Sequence, residues 1–149
     1  MTTAAKVIQI ALREVGYKEK PVNDTKYGIW FGLNNQPWCY IFISWVFFHA
    51  GLNLAKCASC PVGHDWYRRK GRLFLKPAPG DIAFFSWNPE NIPQHVGIVE
   101  RVNPDGSFVT IEGNTSSGLA GSQDNGDGVY RRVRRRSDAV GFGRPPYQG

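Results

Sequence analysis

The segment from Trp38 to Ala50 constrains the fold more than any other part of this 149-residue chain. It is apolar almost all round, with Phe42, Ile43, Val46 and Phe47 on one side of a helix and Ile41, Trp45 and Phe48 on another. Such a helix has no face for water and must be wrapped by the rest of the molecule. It carries Ser44 and His49 and is much shorter than the roughly 20 residues needed to cross a bilayer, so a core helix is predicted and a membrane span is not. Gly51 stops it. Pro37 immediately precedes it, which sets Cys39 in or beside the first helical turn.

Around this centre the pattern predicts an amphipathic helix over Thr3–Val15, with Ala4, Val7, Ile8, Ala11, Leu12 and Val15 on one face and Gly16 as its stop. Tyr17–Pro37 loses periodicity and reads as an ordered loop whose Tyr27, Trp30 and Phe31 line a groove or pack beneath it. Asn53–Pro79 reads as irregular. Strands are predicted at Ile82–Trp87, Gln94–Val102, Ser107–Gly113 and Val129–Arg136, the middle two joined by Asn103-Pro104-Asp105-Gly106. Helices first and antiparallel strands after give an α+β architecture without internal repeats. With 42% hydrophobic residues, 20% charged and no low-complexity tract, residues 1–149 are read as one globular domain with no second, binding domain.

The chemistry begins with Cys39. A thiol attacks as thiolate, and a helix start plus a neighbouring imidazole are what lower its pKa. Taken alone, a cysteine between Trp38 and Tyr40 reads equally as an inert core thiol. His95 changes the balance. A two-residue turn at Pro104-Asp105 pairs Asn103 with Gly106, and that register sets His95 opposite Asn114, with Glu112 diagonal on the same face. A three-residue loop would flip the parity and send Glu112 to the other face. In the predicted register the imidazole takes the thiol proton while Glu112 or Asn114 holds its other nitrogen.

These motifs resemble a known family. Gln36-Pro37-Trp38-Cys39, the Phe-x-Ser-Trp-Val run from Phe42, Pro79-Gly80-Asp81-Ile82, His95-Val96-Gly97-Ile98-Val99 and Ile111-Glu112-Gly113-Asn114-Thr115 are similar to a CHAP domain, the cysteine, histidine-dependent amidohydrolase/peptidase. The resemblance runs from the first helix to Gly143-Arg144-Pro145. It implies a papain-like α+β fold, N-terminal helices packed on an antiparallel sheet or half-barrel, and hydrolysis of peptidoglycan amide bonds. The bond would lie between N-acetylmuramic acid and L-alanine, or within the stem peptide or cross-bridge. Position by position it makes Cys39 the nucleophile, His95 the base, Glu112 its orienting group and Asn114 a support. The Cys39 backbone N–H is expected to hold the oxyanion, with Gln36, Tyr27 and Trp38 as further candidates for the oxyanion site or substrate groove.

The nearest likeness is to phage and prophage lysins. The N-terminus shows no cationic region leading into an apolar core, so the expectation is synthesis in the host cytoplasm without a signal peptide and action on the wall after release. A monomer without cofactor is expected. Calcium is disfavoured because only Asn23 and Asp24 stand where an aspartate-rich loop would precede the cysteine. Asp124-Asn125-Gly126-Asp127-Gly128 breaks calcium-loop spacing and reads as a turn.

Three cysteines are an odd count, so no disulfide framework is predicted. Cys57 and Cys60 have Cys-x-x-Cys spacing with too few further ligands for zinc, and read as a local disulfide or two quiet thiols. His49, roughly 15 Å along the helix from Cys39, is a poor rival base, whereas distance does not remove His64. The net charge of +6 favours polyanionic partners. Arg131, Arg132, Arg134, Arg135 and Arg136 grip anionic wall polymers or nucleic acid, or else protect a solvated edge strand. A non-catalytic wall- or nucleic-acid-binding module using those arginines is the alternative to the hydrolase.

Overall fold

The computed structural model describes residues 2–116 and 126–148. Its helices come mostly first: α1 (Ala4–Arg13), α2 (Lys26–Phe31), α3 (Cys39–His49) and α4 (Cys60–Arg69). The strands are β1 (Leu73–Phe74), β2 (Ile82–Phe85), β3 (His95–Val102), β4 (Phe108–Thr115), β5 (Gly128–Arg134) and β6 (Ala139–Gly143). They form one sheet in the order β1-β6-β2-β3-β4-β5, antiparallel at every described pairing. The α+β prediction holds.

Local chemistry explains the helix starts. The hydroxyls of Thr3, Thr25 and Ser59 accept from the backbone N–H of Lys6, Gly28 and Val62, closing α1, α2 and α4. No side chain caps α3, whose N-cap position is Trp38, so its first N–H groups stay available to other acceptors. α2 lies inside the segment predicted as loop and α4 inside the one predicted as irregular. Both are short, and Gly28 in one and Gly63-His64-Asp65 in the other break the apolar stripe that would have announced them. β6, whose pairing with β2 skips Val140, was also outside the prediction.

α3 packs on β3 and β4, as its apolar circumference requires. Ile41, Phe42, Ile43 and Val46 are fully buried, together with Ile82, Phe84, Val96, Ile98 and Ile111 from the sheet. The other sheet face buries Ala83, Phe85, Val99, Phe108 and Phe142. His95, Thr110 and Glu112 are fully buried as well.

The β3–β4 hairpin departs from the predicted turn and still reaches the predicted register. Asn103 N–H donates to the Ser107 carbonyl at 2.8 Å, so the loop has three residues, and Val102 pairs with Phe108. That alone would invert the parity. A bulge between Val99 and Arg101 inverts it back, so that Val99 pairs with Thr110 and Ile98 with Ile111. Continued along the strands, this register returns His95 and Glu112 to one face.

Gly97 lies against the buried side chains of Glu112 and Thr110. A Cβ there would stand 2.6 Å from Glu112 Cγ and 3.0 Å from Thr110 Cβ. Gly97→Ala is expected to lower unfolding stability by about 1–3 kcal/mol in urea titration, because the crowding falls on buried, hydrogen-bonded groups.

Candidate active site

Cys39 is the first residue of α3 and is 6% exposed. His95 opens β3, and its ring therefore reaches the end of the sheet, where α3 begins. Thiol and imidazole are close enough to perturb each other's ionisation. The His95 Nε2–H donates to Glu112 Oε1 at 2.7 Å. Nδ1 is buried with no hydrogen-bond partner of normal geometry among the described residues, which leaves it as the nitrogen able to take the thiol proton.

Glu112 is held from all sides. Arg134 donates through Nε to Oε2 at 2.8 Å and through Nη2 to Oε1 at 2.5 Å, and Thr110 Oγ1 donates to Oε2 at 2.5 Å. Arg134 is itself 3% exposed, with its guanidinium 4.9 Å from the Phe85 ring centre and 5.1 Å from that of Trp87. Phe85 stacks on His95 at 6.0 Å, and Trp87, 37% exposed, lies at 6.3 Å and forms the rim.

The charges follow from these contacts. Burial drives the Glu112 carboxyl upward, but the charges and hydrogen bonds of His95 and Arg134 outweigh it and hold the group down at about 2. Burial likewise disfavours imidazolium, yet the Glu112 charge and hydrogen bond, with the adjacent Cys39 sulfur, push His95 up to about 9. The neighbouring Cys60 thiol, with Sγ 3.8 Å from Cys39 Sγ, lowers Cys39 well below the ordinary thiol value. Burial opposes this, while His95 and the Tyr40 backbone N–H add to it. The arrangement supports a thiolate–imidazolium pair at neutral pH, with a carboxylate fixing the ring.

The CHAP domain family model matches residues 31–114, more than half of the chain and including Cys39, His95, Glu112 and Asn114. The chain belongs to the CHAP domain family. Its fold is similar to that of the wild-type endolysin LysIME-EF1, with a TM-score of 0.56 and 18% identity over 100% of this chain and 67% of that one. It is also similar to Ly7917, with a TM-score of 0.59 and 18% identity over 97% and 63% of the respective chains. At that identity the likeness is one of fold. No curated protein sequence matches the chain.

Within the CHAP domain, Asn114 is fully buried on β4 at φ +56°, a left-handed conformation that asparagine tolerates better than most residues. Gln36 is exposed ahead of α3. Tyr27 and Trp38 are core residues and line no groove: both are fully buried and stack on each other at 5.5 Å. The Tyr27 hydroxyl donates to Glu14 and the Trp38 indole to Glu19. For Tyr27 the packing alternative is the one the structure has, and Trp38 packs with it.

The arginine run divides. Arg134 belongs to the buried site and cannot meet a polymer. Arg131 forms a two-pronged pair with Glu100, and Arg132 donates to the Ser116 carbonyl, while Arg135 and Arg136 remain exposed. His49 bonds the Trp45 carbonyl, and His64 sits in α4 with its ring edge-on to Phe84. Asp24 accepts from Asn34. Among the described residues, no three His, Cys, Asp or Glu side chains are placed to hold a metal, and no helix is long and apolar enough to cross a membrane. Asp124 and Asn125 lie outside the described residues. Reasoning from sequence missed Arg134, Cys60 and Trp87. Only the need of a buried carboxylate for a cation on a neighbouring strand could have pointed to Arg134.

Proposed function

We propose that this chain hydrolyses amide bonds of bacterial peptidoglycan, with Cys39 as nucleophile. The reading rests on one observation above all: a thiol at the start of α3 shares its ionisation with a histidine whose far nitrogen is bound to a buried carboxylate. Membership of the CHAP family and the likeness in fold to an endolysin support it.

In this mechanism the Cys39 thiolate attacks the amide carbonyl. Backbone N–H groups at the uncapped start of α3 face the developing oxyanion. His95, as imidazolium, gives its proton to the leaving amine, and the acyl group stays on sulfur. His95 then takes a proton from water, and the hydroxide releases the acid. Glu112 keeps the ring oriented throughout, and the polymer is met at the wall after release from the cell that makes the enzyme.

Mass spectrometry of fragments released from defined peptidoglycan tests this. A new amino terminus inside the stem peptide or cross-bridge, with the lactyl amide intact, identifies peptidase cleavage, whereas a free lactyl carboxylate released together with an L-alanine amino terminus identifies amidase cleavage. Fragments carrying neither would sink the proposal.

The alkaline limb of activity gives a second test. The imidazolium is lost as pH rises through about 9, so lysis is expected to decline there. Glu112→Gln removes the charge that raises His95 and is expected to move that limb downward. An unmoved limb in a folded variant would dissociate Glu112 from the base.

A further inference from the structure

The spacing of Cys57 and Cys60 suggests a pair, but the fold separates their roles. Cys57 Sγ turns toward the Ser59 carbonyl at 3.3 Å, whereas Cys60 Sγ lies 3.8 Å from Cys39 Sγ. Each of the facing cysteines is the first residue of its helix, Cys39 of α3 and Cys60 of α4. Two helix starts thus converge on one pair of sulfurs, which are 6% and 7% exposed at the residue level. None of the three cysteines is disulfide-bonded.

From this juxtaposition we infer that Cys39 and Cys60 form a peroxide-sensitive dithiol, closing to a Cys39–Cys60 disulfide that blocks the nucleophile and reopening on reduction by thiols. The inference rests on the reading of Cys39 as nucleophile. A disulfide needs its sulfurs about 2.05 Å apart, so less than 2 Å separates the two arrangements, a distance that side-chain rotation at the helix starts can close.

The chemistry balances with a peroxide as oxidant. The Cys39 thiolate attacks the peroxide O–O bond; an S–O bond forms, hydroxide leaves, and Cys39 becomes a sulfenic acid while the peroxide is reduced by two electrons. The Cys60 sulfur then attacks the sulfenic sulfur. An S–S bond forms, the S–O bond breaks, and hydroxide departs with the Cys60 proton as water. Two thiols and one hydrogen peroxide have become one disulfide and two waters. Thiol–disulfide exchange with an added dithiol returns both thiols. Without a second thiol at this distance, the sulfenic acid proceeds under further peroxide to sulfinic acid, which thiols do not restore.

The test treats the reduced full chain with hydrogen peroxide and reads three quantities: free thiols in denaturant, the crosslinked peptide under non-reducing conditions, and wall lysis before and after dithiothreitol. Two of the three thiols are expected to disappear. The crosslink should join Cys39 to Cys60, and lysis should be lost in full from the crosslinked fraction and regained on reduction. Cys57→Ser should behave in the same way. Cys60→Ser, compared with its own untreated activity, should lose lysis with two oxygens added at Cys39 and should not recover; Cys60→Ala repeats this if serine is not tolerated at a buried site. A Cys57–Cys60 crosslink, no crosslink, or full recovery in both Cys60 variants would overturn the inference. If the reduced chain never lyses walls, the nucleophile reading fails, while peptide mapping still decides the dithiol by itself.

Discussion

Cys39→Ala is expected to reduce lysis of purified cell walls by at least about three orders of magnitude, because the acyl intermediate forms on the Cys39 sulfur. The fold should survive. The change removes one buried sulfur from the edge of the core, costing on the order of 1–2 kcal/mol and a few degrees of Tm. Cys39→Ser is expected to fall nearly as far, since the pocket that lowers a thiol cannot bring a hydroxyl to its anion near neutrality. Turbidity decay of a wall suspension, read beside a thermal melt, measures both halves of the claim. Lysis within tenfold of the parent would remove Cys39 from the mechanism. Co-sedimentation with walls should be unchanged in the same variants. If binding were the only activity, the alanine protein would be indistinguishable from the parent in every assay.

Sequence pattern disclosed the centre of this molecule and hid much of its periphery. α3 was legible because a helix apolar on every side has one place to go. The pairing of His95 with Glu112 was predicted for a reason that was partly wrong. The loop at Pro104–Gly106 is one residue longer than the assumed turn, and a bulge at Glu100 compensates. The bulge falls at Glu100, between buried Val99 and exposed Arg101, where the strand leaves the core and hydrophobic alternation carries no mark of it. Arg134 was concealed by its neighbours, because five arginines in six positions look like a solvated face. Tyr27 and Trp38 show the opposite failure, in which large aromatics close to a nucleophile in sequence turned out to be committed to Glu14, Glu19 and each other. Cys60 was read beside Cys57, as a local disulfide or as one of two quiet thiols, while α4 carries it across to α3.

Arg134→Met should be the most damaging change to stability that leaves the nucleophile, base and carboxylate in place. Glu112 has no solvent exposure, and its negative charge is tolerated because guanidinium, imidazolium and the Thr110 hydroxyl surround it. Removing one partner of a buried ion pair typically costs about 3–5 kcal/mol, since the other charge is stranded, and here that implies a Tm lower by about 10 °C. Lysine at the same position restores the charge without the two-pronged geometry, so Arg134→Lys should fall between. The dependence on pH has a definite sign. The Glu112 carboxyl is depressed from an ordinary 4.5 to about 2 in the folded chain, so its contribution is complete above pH 4.5 and is lost as pH falls toward 2. Without Arg134 the folded carboxyl rises, the native state takes up its proton earlier, and the acid limb of unfolding should move to higher pH. Urea titrations between pH 3 and 7 measure this directly. The Glu112→Gln, Arg134→Met double variant should lose less than the sum of its parts, because neither charge is then left alone. Strict additivity in that cycle would show that the two side chains are neighbours without being partners, and Arg134 would then have no role in keeping Glu112 ionised beside His95.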